Sequence, residues 1–286
     1  MINDLKNKDL SYKDSFNLGF DIYRANFRTI AVLTALVYVP ILLIERLIIF
    51  ESLMDIFVLL GAGREGITYG DVSMDIVFGL ILDMDGVNLP AGVFMADIRR
   101  SLYIILGALM VSGSLILPLL SSGVTYLLLN SDSEEENTAD KVLNTAVSNI
   151  GKTFITTLLA SAFISMGLML FILPGIYLYV AYAFIIPAII VTGKWGFGAL
   201  KESLLSVKGR WFRTLLFLVL VNVFSFFLMY LASFITEAVR FLLPVGAFTD
   251  SILSIAVNIA RAYFVLVQCL WFVNKYFTGK RHENSL

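Results

Sequence analysis

Residues 153–193 read TFITTLLASAFISMGLMLFILPGIYLYVAYAFIIPAIIVTG, and none of these side chains is charged. At 1.5 Å per residue a helix of that length covers about 60 Å, or two crossings of a hydrocarbon layer about 30 Å thick. Pro174-Gly175 lies at the midpoint. Proline cannot continue a helix interior and glycine enters turns at little cost. The stretch therefore predicts two spans, 154–173 and 176–192, joined by a turn at Leu173-Pro174-Gly175-Ile176.

The same criterion applied outward predicts four more spans at about 29–50, 101–129, 214–236 and 251–274. Segments 52–62 and 74–82 are apolar but too short to cross, and fall in a long loop, 51–100. Composition agrees. Hydrophobic residues make up 58% of the 286 residues and charged residues 15%, against roughly 45–50% and about 25% in soluble domains. Mean hydropathy is +0.85. The expectation is one integral membrane domain, 1–286, an all-α polytopic bundle of six spans.

Lysine and arginine set the orientation. With both termini inside, fifteen fall on inner segments and four (Arg64, Arg99, Arg100, Arg240) on outer ones, while Arg46 and Arg261 lie within spans. This predicts an N-in, C-in protein. The N-terminal stretch MINDLKNKDLSYKDSFN has no apolar core of a cleavable signal peptide, so the first span is expected to serve as the targeting signal.

The rare residues exclude several chemistries. One cysteine, Cys269, allows no intrachain disulfide, and one histidine, His282, is the fifth residue from the end. The His/Cys zinc sites and the Ser-His-Asp or Cys-His pairs need more than this. No GxxxxGK[ST] or strand-linked GxGxxG occurs, so any ATPase would be a separate chain. A net charge of −1 with no basic domain argues against nucleic acid. Asp83-Met84-Asp85-Gly86-Val87-Asn88 begins like a calcium loop, but Val87 and Asn88 stand where an oxygen ligand and glycine are needed. No catalytic residue, metal site or cofactor is expected.

Three segments share one design, an amphipathic helix leading into a span. Their apolar stripes are Tyr12, Phe16, Phe20, Tyr23 and Phe27; Leu143, Val147, Ile150 and Phe154; and Phe197, Leu200, Leu204, Val207 and Trp211. Ser11-Tyr12-Lys13-Asp14 has the form of a capping box. The second and third align without gaps at an offset of 58, pairing Val142 with Leu200, Thr145 with Ser203, Ser148 with Ser206 and Gly151 with Gly209. All three end in Phe-x-Thr. The expected arrangement is three helical hairpins, each entered from a helix lying on the cytoplasmic surface.

Leu173-Pro174-Gly175-Ile176-Tyr177, Pro187, Ala199-Leu200-x-x-Ser203 and Lys208-Gly209-Arg210-Trp211 resemble the bacterial YciC-like integral membrane group, which is related to the membrane domain of some glycerophosphoryl diester phosphodiesterases. The similarity is best over 140–235, and the Phe16 to Phe27 stretch also fits. The resemblance implies a six-span domain in a bacterial cytoplasmic membrane, with the catalytic barrel absent and no assigned activity.

Two groups of residues merit weighing as sites. Ser254, Asn258, Arg261 and Gln268 fall on one stripe of the last span, and Glu45 is the acidic residue best matched to Arg261 in depth. Charge inside a span is costly and marks either a polar pathway or ligand site, or a structural ion pair. Lys201, Lys208, Arg210 and Arg213, beside Trp211, form a basic cluster suited to anionic lipid headgroups or to a cytoplasmic partner. The leading functional expectation is a non-enzymatic accessory, scaffold or protective subunit. Its partners would be membrane lipids, another membrane subunit or a cytoplasmic ATPase. The alternative is a transport component for a small molecule, lipid or peptide around Arg261.

Overall fold

The computed structural model describes residues 9–59, 95–111, 117–130, 138–242 and 247–284. The acidic stretch 131–136, the calcium-like segment 83–88 and most of the 51–100 loop lie outside them. The described chain is helical, with no strand. Its elements are α1 (Tyr12–Ala25), α2 (Phe27–Ile44), a π-helical turn (Glu45–Ile49), α3 (Phe50–Leu59), α4 (Met95–Val111), α5 (Leu117–Leu129), α6 (Ala139–Ser148), α7 (Ile150–Leu170), α8 (Ile172–Tyr182), α9 (Ile185–Thr192), α10 (Phe197–Val207), α11 (Trp211–Leu242) and α12 (Ala247–Asn284). Among the described residues five helical stretches are long and apolar enough to cross a membrane: Phe27–Ile56, Ile150–Leu170, Ile172–Thr192, Trp211–Ile235 and Ser251–Gly279.

The chain divides into two compact units, residues 39–113 and the remainder. In the smaller unit α3 packs on α4, burying Leu53, Met54 and Ile56 on one and Leu102 and Ile105 on the other. The larger unit is built around the C-terminal half of α12, which touches α1, α5, α9, α10 and α11. Trp271 is stacked on Phe217 at 4.2 Å between ring centroids, and Phe272 lies 5.7 Å from Phe184. Aromatic pairs of this kind add about 0.5–1.5 kcal/mol beyond their buried area. Buried Cys269 reaches Ser121 of α5 at 3.4 Å.

Three expected features differ in detail or in coverage. First, the span expected at 101–129 takes in part of α4 and all of α5, with residues 112–116 between them outside the described ones; α5 alone is too short to cross. Second, the turn within 153–193 falls at Phe171, whose backbone is extended (φ −161°, ψ 151°), and Pro174-Gly175 lie inside the first turn of α8. The first turn of a helix has no internal acceptors for its N–H groups, so proline there loses no helical hydrogen bond. Gly175 is buried, and a Cβ on it would run into the Leu168 side chain. The small residue lets α7 and α8 close into a hairpin.

Third, the amphipathic helices do not lie apart from the bundle. Ser11 caps α1, its hydroxyl accepting from the Asp14 amide at 3.2 Å. From there α1 runs antiparallel along α12. The Leu10 amide donates to Asn274 Oδ1 at 3.1 Å, the Tyr263 hydroxyl to the Phe16 carbonyl at 2.9 Å and the Tyr23 hydroxyl to the Ile259 carbonyl at 2.9 Å. Gly19 allows the approach, since a Cβ there would meet Val267 Cγ2 at 2.7 Å. The aromatic face read as a membrane-surface stripe instead finds aromatic partners: Tyr12 and Phe16 pack on Phe217, and Phe16 also on Phe224. Similarly α10 folds onto α7–α9, with Ser203 Oγ donating to the Ala181 carbonyl at 2.7 Å.

The repeat is visible locally. Ser148 Oγ donates to the Thr145 carbonyl at 3.0 Å, and its counterpart Ser206 to the Ser203 carbonyl at 2.7 Å. Thr156 and Thr214, the Phe-x-Thr threonines of the second and third copies, are both buried, whereas Thr29 of the first is only partly so. The copies part at the glycines. Gly151 is helical, whereas Gly209 takes φ +77° in the turn between α10 and α11.

Candidate functional site

Arg261 lies on α12 and is half-buried. Its Nη1 donates to Asn258 Oδ1 at 3.3 Å, and Asn258 Nδ2 in turn donates to the Ser254 carbonyl at 2.9 Å. Three of the four stripe residues thus form one hydrogen-bonded ladder. Gln268 lies seven residues further along α12 and is not part of it. Glu45 belongs to the smaller unit, in the π-helical turn, and its side chain lies outside the described residues.

The guanidinium is only partly satisfied. Its Nε is buried without a hydrogen-bond partner, and among the described residues it forms no ion pair. Next to it α11 and α12 enclose a groove of about 710 Å³ lined by Asn222, Phe226, Phe227, Tyr230 and Arg261 among others. Asn222 commits its Nδ2 to the Leu218 carbonyl at 2.7 Å, leaving its oxygen as a polar group in the groove wall.

The members of the basic cluster differ in how many partners they hold. Arg213 is exposed yet engaged: Nη1 lies 3.3 Å from Asp9 Oδ2, Nη2 donates to the Leu10 carbonyl at 3.5 Å, and the guanidinium sits 5.7 and 5.6 Å from the Tyr12 and Trp271 ring centroids. Trp211 stacks on Tyr177 at 5.8 Å and donates its Nε1 to the Tyr177 carbonyl at 3.3 Å. Lys201 is exposed on α10, while Lys208 and Arg210 line a cavity of about 340 Å³ with Glu202, Ser206, Lys275 and Tyr276. Glu202 is already held by Lys194 at 2.5 Å.

Sequence reasoning missed the centre of this end of the molecule. The Lys275 side chain is 2% exposed. Its ammonium pairs with the Asp9 carboxylate, donates to the Leu10 carbonyl at 2.9 Å and lies 4.2 Å from the Trp271 ring centroid. Tyr12 closes the group by donating its hydroxyl to the Arg213 carbonyl at 2.9 Å. Burial of Asp9 opposes its charged form. The hydrogen bond from Lys275 and the charges of Lys275, Arg213 and Arg210 outweigh that, and hold its carboxyl below the ordinary value. The spacing Trp271–Lys275, one helical turn, was the available signal. Asp9, one of several polar residues before α1, carried none.

The two sites do different chemistry. The Asp9–Lys275–Arg213 group ties the chain just before α1 to the end of α12 and the start of α11. The Arg261 groove offers a cation with unused donors beside an apolar wall. No protein-family profile, curated protein or solved structure is matched by this chain. Among the described residues no cluster of His, Cys, Asp and Glu could hold a metal ion.

Proposed function

We propose that the protein is a non-enzymatic integral membrane subunit that acts through lipid and protein partners. One observation carries this reading: α1 lies lengthwise against a membrane-length helix while showing a polar face outward. Lys13, Asn17, Asp21 and Arg24 of α1 are all exposed, yet α1 covers α12 from Asn274 to Ile259, inside the stretch Ser251–Gly279 that is long enough to cross. Beside it α11 exposes Val223, Phe224, Phe226, Phe227, Tyr230 and Phe234. Charged side chains have no partners in lipid and apolar ones have none in water. A chain that shows both faces side by side calls for a companion that covers one of them.

The finer reading is six spans with both termini in the cytoplasm of a bacterial cell, the sixth crossing supplied by the region of α4 and α5. The Lys/Arg bias and the resemblance to the YciC-like group support it. The test is mild extraction followed by native mass spectrometry of the complete assembly. The expected result is a second protein, a membrane subunit or an ATPase, retained at fixed stoichiometry. A lone chain would overturn the accessory reading and favour transport, for which the Arg261 groove is the specific observation.

A further inference from the structure

We propose that the groove between α11 and α12 is a binding site for a phospholipid with a net-anionic headgroup, its phosphate held by Arg261 and its acyl chains lying along Phe226, Phe227 and Tyr230. The inference deepens the partner reading above and rests on its premise that these helices lie in a bilayer.

The argument starts from the guanidinium. Arginine has five N–H donors, and its planar fork pairs with two oxygens of one phosphate or carboxylate. Arg261 spends Nη1 on Asn258. Asn258 is anchored to the Ser254 carbonyl, so the amide oxygen is held in place and fixes one side of the fork. Nε has no partner, and among the described residues Nη2 has none. Donors left in this state can form charge-assisted hydrogen bonds with an anion.

The surroundings select an amphiphile over a free ion. The groove wall is apolar or aromatic apart from Asn222, Ser225 and Arg261. Polar groups also gather at one level of neighbouring helices. The Tyr23 hydroxyl reaches the Ile259 carbonyl, two residues from Arg261, with Asp21 and Arg24 exposed on the same stretch of α1. Polar and aromatic residues at a shared level mark the depth of lipid headgroups. An arginine at that depth beside an apolar groove matches a molecule with an anionic head and a hydrocarbon tail.

The experiment uses the purified full chain in detergent, titrated with phosphatidylglycerol or phosphatidylcholine and read by native mass spectrometry. The wild type should retain phosphatidylglycerol in preference to phosphatidylcholine. Arg261→Gln should lose about five- to tenfold in phosphatidylglycerol retention with phosphatidylcholine unchanged, and Arg261→Lys, which keeps charge without the fork, should fall between. Unchanged circular dichroism and gel filtration show that the variants are folded. Equal retention of the two lipids, or no effect of Arg261→Gln, overturns the site. So does a loss that follows Lys208→Gln/Arg210→Gln instead, since that places the lipid in the other cavity. Because only purified chain and lipid are present, failure here leaves the search for a protein partner unaffected.

Discussion

Asp9→Asn should loosen α1 from α12 more than Lys275→Met does, although lysine is the more deeply buried partner. In the native protein the Lys275 ammonium is 2% exposed and has three partners: Asp9, the Leu10 carbonyl at 2.9 Å and the Trp271 ring at 4.2 Å. Removing the carboxylate leaves a buried cation with one neutral acceptor and a π face. Breaking a fully buried pair from one side costs about 3–5 kcal/mol. The Asp9 side chain is 50% exposed, so water screens the pair and about 1–2 kcal/mol is the appropriate expectation. Lys275→Met removes the charge along with its desolvation cost, and leaves Asp9 beside Arg213 at 3.3 Å; its cost should stay under about 1 kcal/mol. The readout is amide hydrogen exchange across residues 12–25 in detergent, where 1.4 kcal/mol corresponds to roughly tenfold in opening. Asp9→Asn should accelerate exchange there about five- to thirtyfold, and the double variant should match Lys275→Met. Acid should act like Asp9→Asn. The Asp9 carboxyl is held below its ordinary value, so its contribution is complete above about pH 4 and is lost as the pH falls through the lower folded value. Unchanged exchange in α1, or Lys275→Met loosening it more than Asp9→Asn, would refute the reasoning.

Gly175→Ala should destabilise the α7–α8 hairpin by about 1–3 kcal/mol, because the new methyl meets the Leu168 side chain. Thermal unfolding in detergent should show a lowered midpoint, and Leu168→Ala should restore part of the loss, which a purely conformational effect of alanine would not allow. Gly209→Ala should cost about 1–2 kcal/mol for a different reason: nothing lies within 4 Å of the added Cβ, but φ is +77°. Gly209→Asn should be milder than Gly209→Ala in the same assay.

The helical class and most of the long apolar helices were legible because length and absence of charge are one-dimensional properties. The reading at Pro174-Gly175 missed by three residues, since the residue types were right for a break but their reason was different. Proline sits where helix N–H groups are spare, and glycine sits where two helices touch. The stripe on α12 was legible as spacing, and three of its four members do meet. Asp9 was not legible. Its partner lies 266 positions away, and nothing in a polar leader distinguishes one acid from another until the chain has folded.

The amphipathic pattern of α1 shows where pattern reading stops. A stripe of Tyr12, Phe16, Tyr23 and Phe27 at helical spacing states that one face will be covered, and is silent on whether lipid or protein covers it. What discriminates is the small residue within the stripe's arc. A helix resting on a membrane surface gains nothing from Gly19, and loses roughly 0.5–1 kcal/mol relative to alanine. A helix pressed against another needs that position small, and here Val267 fills the space a methyl would take. The tyrosines agree, since Tyr23 and Tyr263 each spend the hydroxyl on a carbonyl of the opposing helix, bonds that a lipid surface would not fix in place. Glycine inside an aromatic stripe is therefore the sequence signal that α1 docks on protein. It accounts for why the first of the three amphipathic helices lies along α12 and presents its charges outward, where only water, headgroups or a second chain can meet them.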